Sequence, residues 1–169
     1  MAISPFYKKP ISYRSVYYKN VLQLLKYYKV RGYFHYYNGN REAVPAESRI
    51  NVGLRNEDGK KCNDTIQSFL SGVCHELAHV LNYRNKKYYD YHNFHMNTRY
   101  TKKRVQNWIR VGYKAERYTD KVGQELMRKH FPGIPYLKAY TKKDGHKWYK
   151  ENYLKDLYEF MRGERTFND

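Results

Sequence analysis

The sequence predicts an α+β domain in which a small twisted sheet packs on one long amphipathic helix. Three observations carry that reading. Between residues 66 and 81, Ile66, Phe69, Leu70, Val73, Leu77, Val80 and Leu81 recur at spacings of three and four, the period of a helix with one apolar stripe. Ahead of it, Arg49-Ile-Asn-Val-Gly-Leu54 alternates apolar and polar residues, the pattern of a half-buried strand. After it, a second long helical pattern starts near Lys103 and stops at Pro132-Gly133. A chain of 169 residues supports one domain with a real core and is short for two. The organisation expected is an extended arm over 1–11, a main domain over 12–135, and a Tyr- and Lys-rich helical extension over 136–169.

Taken in order, residues 1–11 carry Pro5 and Pro10 and have no period, which is why they read as an arm. From Ser12 to Val30, Tyr17, Val21, Leu24, Leu25 and Tyr28 fall at helical spacing, and Gly32 is the expected stop. Tyr33 to Tyr37 is an aromatic run suited to a strand, with His35 as a structural residue inside it, and Asn38-Gly39 turns the chain. Asp58-Gly59 makes the next turn. The following helix is expected to start between Asn63 and Thr65, with Asp64 and Gln67 as its capping pair. Asn82 to Tyr100, with His92 and His95, reads as a long polar loop. In the second long helix Ala115, Thr119, Val122 and Leu126 share a face. A last helix is expected from Lys147 to Arg162.

The chemistry concentrates in Cys74-His-Glu-Leu-Ala-His79-Val-Leu. His75 and His79 are four apart, so on a helix both imidazoles lie on one face a turn apart and can bind one cation. They fall opposite the apolar stripe, with Ser68 and Gly72, on a face expected to open onto a cleft. Glu76 follows the first histidine. In a zinc site such a glutamate is a proton acceptor and donor rather than a ligand. Cys74 reads as a small buried residue.

This stretch resembles the active-site helix of the zincin metallopeptidases, and the resemblance spans roughly residues 49–131. It implies a zincin-like fold, a Zn2+ cofactor held by His75 and His79, and peptide-bond hydrolysis by a zinc-activated water with Glu76 as base and then acid. It also makes residues 49–54 the upper wall of the cleft, an edge strand pairing with extended substrate. An oxyanion donor is required, and Tyr83, Tyr113 and Tyr118 are its candidates.

Catalytic zinc takes three protein ligands, and two residues compete to be the third. Glu116, in Ala-Glu-Arg-Tyr-Thr-Asp-Lys-Val-Gly123, resembles the ExxAD-type helix of gluzincins, in which the glutamate binds zinc and the aspartate, here Asp120, supports a motif histidine. Thr119 departs from the usual alanine, and the gap from the motif is shorter than in many gluzincins. His92 lies thirteen residues after His79 in Tyr-His-Asn93, which resembles the third histidine of SprT-like proteases, although the aromatic residue of that pattern is poorly placed here.

The net charge of +17, from 33 Lys and Arg against 16 Asp and Glu, implies a polyanionic partner, nucleic acid or an acidic protein surface. The 21 tyrosines, many in pairs beside Lys or Arg, suit stacking on bases or filling interfaces. Two functions therefore stand beside the zinc metallopeptidase. One is a structural or assembly protein of a phage or mobile element that keeps a zincin scaffold. The other is a SprT-like DNA-associated protease. Two cysteines make no disulfide framework, and no apolar run approaches membrane length. The expectation is a cytoplasmic or intracellular protein without signal peptide or membrane contact, or a virion-associated one in the assembly reading.

Overall fold

A computed structural model describes residues 5–33, 42–54, 64–88 and 102–138, together with 147 and 151. Among them are three α-helices and a three-stranded mixed sheet, so the class is α+β. The first helix, α1 (Val16–Tyr27), starts where Ser15 Oγ accepts the Tyr17 N–H at 3.2 Å, satisfying one of the free donors of the first turn. Its inner face is Tyr18, Val21, Leu24 and Leu25. Gly32 does not end it. The stop is Lys29 at φ 55°, followed by bonds from Lys29 N to Lys26 O and from Val30 N to Leu25 O, the Schellman arrangement with lysine where glycine is usual.

Gly32 instead lies in β1 (Arg31–Tyr33). With β2 (Glu42–Val44) and β3 (Arg49–Asn51) it makes a sheet of order β1-β3-β2, in which β1 runs parallel and β2 antiparallel to β3. The edge role expected of residues 49–54 is thus not met at β3, whose hydrogen bonds are taken on both sides. Nor do these residues alternate, since Ile50 through Leu54 are all buried. Strand residues between 34 and 37, the Asn38-Gly39 and Asp58-Gly59 turns, His92 and His95 lie outside the described residues, as does the last helix apart from Lys147 and Glu151.

The arm expected over 1–11 is anchored from its Pro5 end onward. Phe6–Lys8 form a 3-10 turn, Ile11 N bonds Asp64 O at 2.9 Å, and Ile66 N bonds Lys9 O at 2.9 Å. These bonds press Ile11, only 1% exposed, into the core. The helix α2 (Ile66–Arg84) is capped by Thr65, whose Oγ1 accepts the Ser68 N–H at 3.1 Å. Asp64 accepts from the Ser68 hydroxyl rather than capping the backbone. Phe69, Leu70, Val73, Leu77 and Val80 pack with Ile50, Val52, Leu54 and the inner face of α1 into one apolar core. At its far end Arg84 donates to Tyr28 O at 2.6 Å and Lys29 O at 2.7 Å, tying α2 to the exposed end of α1.

The third helix, α3 (Lys102–His130), turns inward a face of Ala115, Glu116, Thr119, Asp120, Gly123, Leu126 and Met127. Phe131 and Ile134 complete the core after it. Internal contacts group the chain as 1–87 with 119–138, and as 88–118 with 139–169. Among the described residues no helix is long and apolar enough to cross a membrane.

Candidate metal centre

The spacing of His75 and His79 on α2 brings their rings to a centroid distance of 4.8 Å, with the two Nε2 atoms 3.2 Å apart. Far from facing open solvent, both are buried, at 6% and 7% exposure. The apolar stripe buries one side of α2 in the core, and Thr119 and Asp120 of α3 lie against the two histidines on the other.

Each histidine is gripped through its far nitrogen. His75 Nδ1 is 3.1 Å from Asp120 Oδ1, a buried pair, and His79 Nδ1 is 3.4 Å from Thr119 Oγ1. Thr119 is itself held, because Asn82 Nδ2 donates to its Oγ1 at 3.1 Å. A carboxylate can only accept, so Asp120 draws the His75 proton to Nδ1, whereas the Thr119 hydroxyl can accept from His79 Nδ1 or donate to it. The two Nε2 atoms face each other at 3.2 Å, an arrangement in which both can meet one cation.

Glu116 is one helical turn before Asp120 on the uninterrupted α3, so both carboxylates share its inner face. The side chain is 5% exposed. One ligand atom from each of His75, His79 and Glu116 lies within 4.8 Å of the others. Two nitrogens and a carboxylate oxygen are a usual zinc donor set, and two nitrogens bonded to one tetrahedral zinc stand about 3.3 Å apart. The residues present fit the ion. His92, the competing ligand, lies outside the described residues. Glu76, between the histidines in sequence, is half-buried.

The tyrosine brought to the histidines is none of the three expected. Tyr113 lies under Arg117, at 6.0 Å from the guanidinium, Tyr118 sits beside Tyr88, and Tyr83 is half-buried on α2. Instead Tyr136, six residues beyond α3, donates to Asp120 Oδ1 at 2.8 Å, with its oxygen 3.4 Å from His75 Nδ1. Burial first, and then the Asp120 charge, hold its hydroxyl well above the ordinary tyrosine range, so it stays a donor. The one trace of this in the sequence is Gly123, on the inner stripe of α3. A Cβ there would stand 2.8 Å from the Tyr136 oxygen. Thr119 Oγ1 lies between Asn82 Nδ2 and His79 Nδ1, two contacts that an alanine there could not make.

Compared with known proteins, the chain matches no family model, no curated protein and no solved structure.

Proposed function

We propose that this chain is a zincin-like, zinc-dependent metallopeptidase of gluzincin type. The observation that carries the reading is the buried convergence of His75, His79 and Glu116, with Asp120 and Thr119 behind the two histidines. A histidine pair occurring by chance on a solvent-facing helix would have neither the burial nor a polar side chain of α3 at both Nδ1 atoms.

His75, His79 and Glu116 would hold the ion, which when bound lowers the pKa of water and polarises a carbonyl. Asp120 would hold the His75 ring and Thr119 the His79 ring, each through Nδ1, so that both Nε2 atoms are turned to the ion. Glu76 receives a proton on its carboxylate from the attacking water and delivers it to the nitrogen of the leaving amine, so that no free amide anion has to depart. The α3 face supplies its carboxylates from a packed helix, which leaves little to be ordered when the ion binds.

The test pairs metal analysis with one substitution. Protein purified without chelator should contain one zinc per chain. Glu76→Gln should keep that zinc and lose hydrolysis of a denatured protein substrate by at least about a hundredfold, the scale of general acid–base catalysis. A zinc-free chain would remove the reading, and loss of zinc on Glu76→Gln would mean that Glu76 is misassigned.

A further inference from the structure

The segment after α3 is built into the metal centre. Residues 131–138 leave the helix, turn at Gly133 with φ 84°, and bury Phe131 and Ile134 in the core. They then lie along one line of α2. Gln67 Nε2 donates to Pro135 O at 2.9 Å, and Ser71 Oγ accepts the Leu137 N–H at 3.0 Å. Gln67, Ser71 and His75 succeed one another at intervals of four, so the backbone on both sides of Tyr136 is fastened to the α2 face that carries His75. Between those two fasteners the Tyr136 hydroxyl reaches Asp120 Oδ1, the same oxygen that meets His75 Nδ1. Gly123 leaves the space that the ring occupies.

We propose that Tyr136 is a positioning residue for the metal centre, its hydroxyl holding the Asp120 carboxylate so that Asp120 in turn fixes the His75 ring. This rests on the metal-centre reading above and extends it to a segment outside the histidine motif and outside the Glu116–Asp120 stretch. The physical need is clear. A carboxylate on a helix can rotate about its Cβ–Cγ bond and present either oxygen. With His75 and Tyr136 both on Oδ1, that rotation breaks two bonds at once, so the oxygen that meets the imidazole is held more firmly and the ring with it. Fastening at Gln67 and Ser71 matters because a tyrosine on a loose tail would lose in ordering entropy what its hydrogen bond contributes.

The test is zinc affinity in competition with a chromogenic chelator, together with the visible spectrum of the Co2+-loaded chain, for the unsubstituted protein, Tyr136→Phe, Gly123→Ala and the two combined. Tyr136→Phe should weaken zinc by about tenfold, the low end for groups behind a ligating histidine, and should shift the Co2+ bands because the His75 ring is reoriented. A role in packing alone would leave those bands in place. Gly123→Ala should weaken zinc at least as much, since its methyl displaces the hydroxyl. Combined with Tyr136→Phe it should add no more than about twofold, because the hydroxyl whose displacement costs affinity is then gone and only the two ring carbons at 3.2 Å have to shift. Should Tyr136→Phe fail to fold, Gly123→Ala carries the same test. Zinc affinity within twofold of the unsubstituted chain and unmoved Co2+ bands in the testable variant would overturn the proposal while leaving the metal centre standing. An unsubstituted chain that binds neither metal would overturn both.

Discussion

Thr119 shows how one hydroxyl can hold two side chains at once. Its Oγ1 accepts from Asn82 Nδ2 at 3.1 Å and stands 3.4 Å from His79 Nδ1, so it supports the His79 ring from behind. Cys74, next to His75 in sequence, is the opposite case. It is buried among apolar side chains, and burial pushes its thiol up to about 12, so it stays protonated and serves as a small apolar group. In the proposed centre the residue with most at stake is His79, whose replacement would remove a ligand while leaving Thr119 and Asn82 to bond each other. At zinc about a hundred times its dissociation constant, binding would add about 2.7 kcal/mol to the stability of the unsubstituted chain. Zinc should therefore raise the melting temperature of that chain and leave His79→Ala unmoved. A zinc-dependent rise in the variant would place the site elsewhere.

Among elements, α3 matters most to the site. A ligand on a packed helix arrives already ordered, whereas one on a polar loop must first be ordered at roughly 1–2 kcal/mol per fixed residue. Glu116→Ala should accordingly lower zinc affinity far more than His92→Ala in chelator competition, and the reverse result would favour the SprT-like ligand set. The C-terminal end of α3 carries a second device. The Tyr28 hydroxyl meets His130 Nε2 at 2.9 Å, and burial, then the neighbouring Lys129 charge, lower the pKa of His130 below its ordinary value of 6.5. A base whose folded pKa lies below its unfolded one stabilises the fold above the unfolded value, and that contribution is lost as pH falls through the folded one. Between pH 7.5 and 5, measured in chelator, the melting temperature should fall more for the unsubstituted chain than for His130→Gln. Equal falls would show that His130 is not coupled to folding. At the sheet, the consequence of order β1-β3-β2 is that an extended substrate cannot pair with β3, whose bonds are already made.

Over the whole molecule the dominant property is charge. The net charge is +17, and internal ion pairs, such as Arg49 with Glu47 at 3.1 Å, leave that excess unchanged. Among the described residues exposed basic side chains occur on all three helices, including Lys19, Lys26, Arg84, Lys121 and Arg128. Should nucleic acid be the partner, binding measured by fluorescence anisotropy would fall steeply with salt. A surface neutralising six to ten phosphates loses about 10³- to 10⁵-fold in affinity between 50 and 200 mM. Absence of binding at low salt would assign the charge to an acidic protein partner or to solvent, and would take away the main support for a DNA-linked protease.

Local period and local chemistry alone account for several of these features. The stripe from Ile66 to Val80 required α2, the four-residue interval put His75 and His79 on one face, and the Glu116–Asp120 interval put two carboxylates together on α3. None of these needs a distant contact to be stated. The tertiary structure decided what depends on which residues meet across the chain. That β3 is central follows from pairing with β1 and β2, and that residues 5–11 are anchored follows from bonds to the start of α2. Periodicity is blind to both, as it is to Lys29 ending α1 in place of a glycine. Tyr136 illustrates the limit best. Sixty-one residues separate it from His75, no period links the two, and among 21 tyrosines nothing local distinguishes it. It reaches the histidine because Gln67 and Ser71 fasten the chain on either side and Gly123 leaves room for the ring.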